Sequence, residues 1–376
     1  MAKSLAFWLE GIKGAKPDID LHVNYWLLHQ NTDRELSYLD IGVKFQGLHD
    51  VRGKDKGSIN IYFPFKVNKE NYYPNLGELV CSRTDLIQTI FNSRHKSTVN
   101  SSNTSVDIEF ESEKEGVLRV FTQISCSPEN GGVRIVDTDE GSTLLFPLKL
   151  FNTTRKVATS SGSESESLPG YIRFRIKLNS NETKVISQSY KHTDSIILSR
   201  LESTEIVDFR LNEVRDLPGI IQSKDLIGAG IKNIHFFLIR EVDSEYKQAH
   251  ANFHRCRLLE KELWNEYLSL DLKENMAPKQ MLIYHWKESG KKLEIASRKK
   301  KPALKEAYAS IEKFTAFAKF SKITVTYKNL LLFVMFALLI GAVSGAMGNV
   351  LYNFVRDAGG AFLNYVSYFY GLHVSK

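Results

Sequence analysis

Between residues 20 and 150, short runs rich in Val, Ile, Phe and Tyr alternate with turn residues. The pattern predicts strands at Leu21–Leu28, Tyr38–Phe45, Ser58–Phe65, Ser105–Phe110, Val117–Ile124, Val133–Val136 and Leu144–Leu150. β-Branched and aromatic residues suit a pleated surface, and the Gly and Asn between the runs end it. One helix is expected at Leu76–Arg94. Strands this short and this regularly spaced predict a sandwich or barrel. The polar stretch Thr153–Gly170 is dominated by Ser, Gly and Glu and buries too little to order itself, so residues 156–170 are expected as a flexible loop.

A second β-rich module is expected from Tyr171. Ile172, Phe174, Ile176 and Leu178 alternate there with Arg173, Arg175 and Lys177, giving one apolar and one basic face. Further strands are expected at Lys184–Tyr190, Ser195–Leu201, Glu205–Leu211 and Ile234–Val242, with Asp216–Ile231 as loop. From Ser244 the apolar spacing becomes helical through Tyr246, Ala249, Phe253, Leu258, Leu259, Leu263, Tyr267 and Leu270, ending before Pro278. A second helix is expected from Pro302 towards Lys322.

Leu330–Leu351 contains no charged residue. Its 22 residues span about 33 Å as a helix, enough for a bilayer's hydrocarbon core. After it, Phe354, Ala358, Phe362, Tyr365, Val366 and Phe369 are helically spaced, which predicts an interfacial aromatic tail broken at Gly359–Gly360. The fold class is therefore α+β. A β-rich module over 1–155 and the loop 156–170 precede a second β module over 171–243. A helical basic connector over 244–328, a transmembrane helix over 329–351 and a tail over 352–376 complete the chain.

Charge sharpens this picture. The chain's net charge is +7, and the segment Lys287–Lys328 alone holds twelve basic and four acidic residues. A basic flank before an apolar run meets anionic lipid and stays inside. A single-pass protein of the cell inner membrane is expected, with membrane lipid as partner and the N-terminal region cytoplasmic.

The three cysteines, Cys81, Cys126 and Cys256, form no CxxC pair and make a poor disulfide framework. His250 and His254 share the i, i+4 spacing of zinc ligands, but Ala251 removes the glutamate of a metalloprotease motif, so no metal or cofactor is expected. No phosphate-binding loop, dinucleotide fingerprint or nucleophile elbow occurs, and the chain is not expected to be an enzyme.

Two groups of residues stand out as candidate sites. Arg173, Arg175 and Lys177 would project about 7 Å apart from one strand face, suited to phosphates, with Arg255, Arg257, Lys54 and Lys56 able to join them. In the membrane segment, Ala337, Gly341, Gly345 and Asn349 form one row at spacing four, and Ser344 with Gly348 a second. Such rows let helices approach closely and predict a homo-oligomer. Arg356 and Asp357 would stand at a pore mouth.

This layout, a large soluble region followed by the Ala337–Asn349 row and an aromatic tail, resembles the membrane effectors of bacterial anti-phage systems, and among them the Hailong type. The resemblance implies a tetrameric ion channel under the control of a nucleotide or oligonucleotide made by a partner nucleotidyltransferase. A tail-anchored scaffold that localises partners at the membrane is the alternative expectation.

Overall fold

The structure is a computed structural model. It describes residues 3–12, 17–29, 35–48, 57–91, 93–99, 104–111, 116–127, 131–159, 162–191, 202–249, 251, 253–268, 280–292, 308–323 and 327–370. The chain divides into one unit of Met1–Tyr190 with Thr204–Lys322 and another of Lys191–Ser203 with Ile323–Lys376.

A ten-stranded sheet dominates the first unit. Its strands run in the order Arg255–Leu258, Met281–Ser289, Ile231–Glu241, Asp18–His29, Glu35–Gln46, Gly170–Leu178, Val117–Phe121, Ser105–Phe110 and His95–Val99, and Tyr72–Tyr73 also pairs with Gly170–Leu178. Two four-stranded sheets accompany it. One is ordered Ala6–Glu10, Ser58–Phe63, Gly141–Pro147, Arg134–Thr138, and the other Ser187–Lys191, Glu202–Leu211, Phe314–Ile323, Ser244–Ala249.

Alternation along the strands decides how these layers pack. Leu21, Val23, Ile41, Val43, Ile172, Phe174 and Ile176 point to one face of the large sheet, where they share a core with Ile59, Phe63, Phe146, Phe209 and Phe314 of the smaller sheets. Phe146 meets Phe174 at 5.2 Å between ring centroids, and Phe209 stacks on Phe236 at 4.5 Å. This arrangement is sandwich-like, as the strand spacing predicts. The opposite face carries a second core around Trp26, Leu76, Val80, Leu86, Trp264 and Tyr267, contributed partly by the helices Leu76–Cys81, Thr84–Phe91 and Lys261–Leu268.

Several expectations are corrected. Leu76–Arg94 is two helices and not one, since the first ends at Cys81 and the next begins at Thr84. The expected loop 156–170 falls largely within the hairpin Thr154–Thr159 and Gly162–Ser167, whose backbones pair although most of its residues are polar. No module boundary falls there either, because Gly170–Leu178 pairs antiparallel with Glu35–Gln46 inside the large sheet. The expected strand Lys184–Tyr190 begins later, at Ser187–Lys191, because Ser180–Ile186 is a helix held by an Asn179 and Glu182 capping box.

The helical connector over 244–328 is replaced by strands at Ser244–Ala249, Arg255–Leu258, Met281–Ser289 and Phe314–Ile323, with one helix at Lys261–Leu268. Burial at period two explains the last strand: Phe314, Ala316, Ala318 and Phe320 are all buried on one face. The expected strand Ser195–Leu201 and the expected helix start at Pro302 lie outside the described residues.

In the second unit, Tyr327–Tyr370 forms one helix of 44 residues, about 66 Å long at 1.5 Å per residue. It runs through Gly359 and Gly360, where a break was expected. Leu330–Tyr370 is long and apolar enough to cross a membrane, with a mean hydropathy of 2.5 in its most apolar window, none of which is buried.

Candidate functional site

The helices cover the outer face of the large sheet only in part. The remainder forms a cleft of about 550 Å³. Its floor is built by register. Lys287 lies opposite His235, His235 opposite His22, His22 opposite Gly42, and Gly42 opposite Arg173, so these five residues form one row across five strands. Gly42 is required here: a Cβ at this position would sit 2.3 Å from the Tyr171 hydroxyl. On the neighbouring row, Arg255 pairs with His285, His285 with Phe237, and Phe237 with Asn24.

The walls come from elsewhere in the chain. Thr89, Ile90 and Phe91 of Thr84–Phe91, Phe110, and Trp264 of Lys261–Leu268 line the sides. Arg83 and Glu266 form an ion pair between these two helical segments. His254, which also lines the cleft, donates from its amide to the His285 carbonyl at 2.7 Å.

Five cations (Lys44, Arg173, Arg255, Arg257 and Lys287) line this cleft against a single carboxylate, Asp20, among the described residues. Four histidines join them. Burial pushes His22 well below the usual imidazole range, helped by His235, Arg173 and Lys44. Burial and then Lys287 bring His235 down to about 4, and burial with His235 and His254 brings His285 down to about 3. These rings are therefore neutral at pH 7 and serve as hydrogen-bonding groups. His235 Nδ1 lies 3.1 Å from His285 Nε2, and His285 stacks on Phe237 at 4.3 Å between centroids.

Arg173 is the distinctive group. It is only 2% exposed, donates from Nε to the Tyr267 hydroxyl at 2.9 Å and from Nη1 to the Tyr171 hydroxyl at 3.0 Å. Its Nη2 has no hydrogen-bond partner among the described residues, and neither has Asn24 Oδ1 or Trp264 Nε1, both from residues lining the same cleft. Buried polar atoms without a protein partner are rare and mark strain, a functional role, or a site for a water, ion or ligand.

The expected basic strand face is corrected by this geometry. It is covered, not solvated, because Gly170–Leu178 is an inner strand with helices above it. Arg173 lines the cleft. Arg175 instead pairs with Asp40, and Lys177 stands a rung further, opposite Tyr38 and outside the cleft lining. Arg255 and Arg257 do join Arg173 in the cleft, from an exposed edge strand, whereas Lys54 and Lys56 lie outside the described residues.

Histidines His22, His235 and His285 went unnoticed in the sequence. Their signal was alternation: Asp20, His22 and Asn24 interleave with Ile19, Leu21 and Val23, as His285 and Lys287 do with Tyr284 and Trp286. His254 lies at the cleft mouth just before a strand, and not on the expected helix, while His250 lies outside the described residues. Among the described residues no group of three or more His, Cys, Asp or Glu side chains is placed to hold a metal ion. Burial pushes the Cys81 thiol up to about 12 and also raises Cys126 and Cys256, so these thiols are protonated at neutral pH.

The helix Tyr327–Tyr370 carries Ala337, Gly341, Ser344, Gly345, Gly348 and Asn349, all exposed. Nothing described lies within 4 Å of a Cβ built on Gly341, Gly345 or Gly348. Arg356 and Asp357 pair with each other at 3.2 Å.

No protein-family model matches the sequence, and no curated protein matches it. Among solved structures, the chain shows a slight likeness to the zebrafish (Danio rerio) Fcho1 Mu homology domain with bound Eps15 peptide. The identity is 7%, the match covers 85% of this chain and 80% of that one, and the TM-score is 0.14. A likeness at that level bears on neither fold nor function. Fold and site together define a β-rich protein with a cationic, aromatic-walled cleft and one C-terminal helix long enough to cross a membrane.

Proposed function

We propose that this protein is a ligand-controlled membrane effector. Its soluble unit binds a nucleotide or short oligonucleotide in the cleft, and its C-terminal helix sits in the inner membrane, where several copies form an ion-conducting pore. The cleft carries the reading. Five cations meet neutral histidines and the rings of Phe91, Phe237 and Trp264, and the buried Arg173 has Nη2 unpaired among the described residues. Cations neutralise phosphates, and aromatic rings stack on bases at about 1–3 kcal/mol each. Asn24 Oδ1 and Asp20 offer acceptors to base amino groups or sugar hydroxyls.

The helix supports the membrane half. A core helix of a soluble protein would be buried, whereas no part of this apolar window is. So large an apolar surface is covered by lipid or by other copies. Anti-phage defence, with a nucleotidyltransferase supplying the signal, fits a toxic pore held under ligand control.

The test is binding of labelled four-nucleotide single strands to the full-length protein in detergent, at several salt concentrations. Arg255→Glu with Arg257→Glu is expected to weaken binding at least tenfold and to flatten its salt dependence, since each lost phosphate contact removes about 0.7 from the logarithmic slope. Binding that is unchanged in this double variant sinks the cleft reading.

A further inference from the structure

We infer that the cleft receives its ligand end-first, with a terminal phosphomonoester seated at Arg173; the inference rests on the nucleotide reading above. The cleft is asymmetric along its floor. At one end Arg173 is 2% exposed, and Tyr171, Phe91 and Phe110 stand around it, with Phe91 set edge-on against Tyr171 at 5.3 Å. At the other end His254, Arg255, Arg257 and Lys287 are exposed. An internal phosphodiester needs a groove open on both sides, because the strand continues in both directions from it. A floor buried at Arg173 and exposed at Arg255 fits the end of a strand better than its middle.

Charge agrees with sterics. A phosphomonoester carries about −1.5 to −2 at neutral pH and offers three acceptor oxygens, against the single charge of a diester. The closed end supplies matching donors: Nη2 of Arg173, unpaired among the described residues, the Lys44 ammonium, and the ring of His22, whose Nδ1 lies 3.4 Å from the Tyr171 hydroxyl. The Tyr171 and Tyr267 hydroxyls hold the guanidinium by its other two nitrogens, so its position does not depend on the ligand.

Length follows from the sheet. From Lys287 to Arg173 the row crosses four strand intervals, about 19 Å at 4.8 Å each. A mononucleotide with its phosphate on Arg173 does not reach the outer cations. An oligonucleotide of a few units does, with its inner end buried and its later phosphates at Arg255 and Arg257.

The experiment measures binding of the full-length protein to one four-nucleotide sequence in four forms: 5′-phosphorylated, 3′-phosphorylated, hydroxyl at both ends, and circularised. One phosphorylated form is expected to bind at least tenfold more tightly than the hydroxyl-ended and circular forms. Arg173→Gln is expected to erase that difference, whereas Arg255→Gln with Arg257→Gln weakens all forms by a similar factor. The comparison among ligands needs no variant, so it stands even if Arg173→Gln misfolds. Equal binding of all four forms, still weakened by the Arg255 and Arg257 changes, overturns end-first seating and leaves the nucleotide cleft intact. Binding of none of them overturns both.

Discussion

Arg175 donates to Asp40 through two hydrogen bonds, Nε to Oδ1 at 2.6 Å and Nη2 to Oδ2 at 3.0 Å, with the two side chains 1% and 0% exposed. Asp40 also accepts from Trp26 Nε1 and from the Tyr267 hydroxyl, each at 2.8 Å. The guanidinium lies 4.7 Å from the Tyr38 ring and 4.9 Å from the Tyr267 ring. The carboxylate thus accepts four hydrogen bonds inside the fold, one at Oδ1 and three at Oδ2. Arg173, two residues away on the same strand face, retains a nitrogen that nothing described satisfies. One arginine belongs to the core and the other to the cleft.

The core pair makes the first prediction. Asp40→Asn leaves the Arg175 charge buried without a counterion, which destabilises by about 3–5 kcal/mol. Denaturant unfolding of the full-length protein in detergent is expected to show the midpoint fall accordingly. Arg173→Gln removes no ion pair and is expected to shift that midpoint far less. Equal losses in the two variants would contradict the division of roles.

Acid is expected to destabilise the β-rich first unit through the cleft histidines. His235 and His285 titrate near 4 and 3 when folded, below the ordinary imidazole value of 6.5. Between these limits the unfolded chain binds more protons than the native one, so stability falls as pH falls. Above about pH 6.5 the effect vanishes, because both states are neutral. Unfolding midpoints measured from pH 7.5 to 5 are expected to decline, and His285→Gln is expected to make that decline shallower. A midpoint independent of pH over this range would show that the rings are solvated.

Much of the sheet architecture was legible in the sequence because strand period and turn chemistry agree locally. Ser105–Phe110 was placed correctly, since Gly116 and the polar residues around it punctuate a clear apolar run. The connector misled because Tyr246, Ala249 and Phe253 satisfy helical spacing while their segment pairs with Phe314–Ile323, a partner about seventy residues away. Local periodicity carries no information on such pairing. For the same reason Arg173 and Arg175 looked equivalent. Their difference arises from Asp40 and Tyr267, which reach them from distant parts of the chain.

The small-residue row yields the third prediction. Ala337, Gly341, Gly345 and Asn349 repeat every four residues on a continuous helix, and the space beside Gly341 and Gly345 is open. Backbones that approach there gain packing, and Asn349 can hydrogen-bond between helices. Gly341→Leu and Gly345→Leu are expected to lower the mass of the detergent-solubilised particle by disrupting a homo-oligomer. Retention of the wild-type mass by both would place the contact elsewhere.

Conduction is the last prediction, and it follows from the length of the helix as well as from its composition. At about 66 Å the helix is roughly twice the thickness of a hydrocarbon core, so a helix that crosses a bilayer would extend well beyond it on at least one side. One helix encloses no water, and a pore requires several copies about an axis. Ser344 and Asn349 would supply polar groups for a lumen, and Arg356 and Asp357 follow about two turns after Asn349. The strand Phe314–Ile323 belongs to the sheet Ser187–Lys191, Glu202–Leu211, Phe314–Ile323, Ser244–Ala249 and ends four positions before Tyr327 in the sequence. On the proposed function, ligand binding would bias whichever helix arrangement accompanies the better-binding state. Cells expressing the full-length chain are expected to depolarise, as read with a voltage-sensitive dye, in one of the two ligand conditions. Removal of residues 327–376 is expected to abolish the effect, and Gly341→Leu to reduce it. If membrane potential is unchanged with and without the oligonucleotide, the helix anchors the protein without conducting, and the scaffold reading takes the place of the channel.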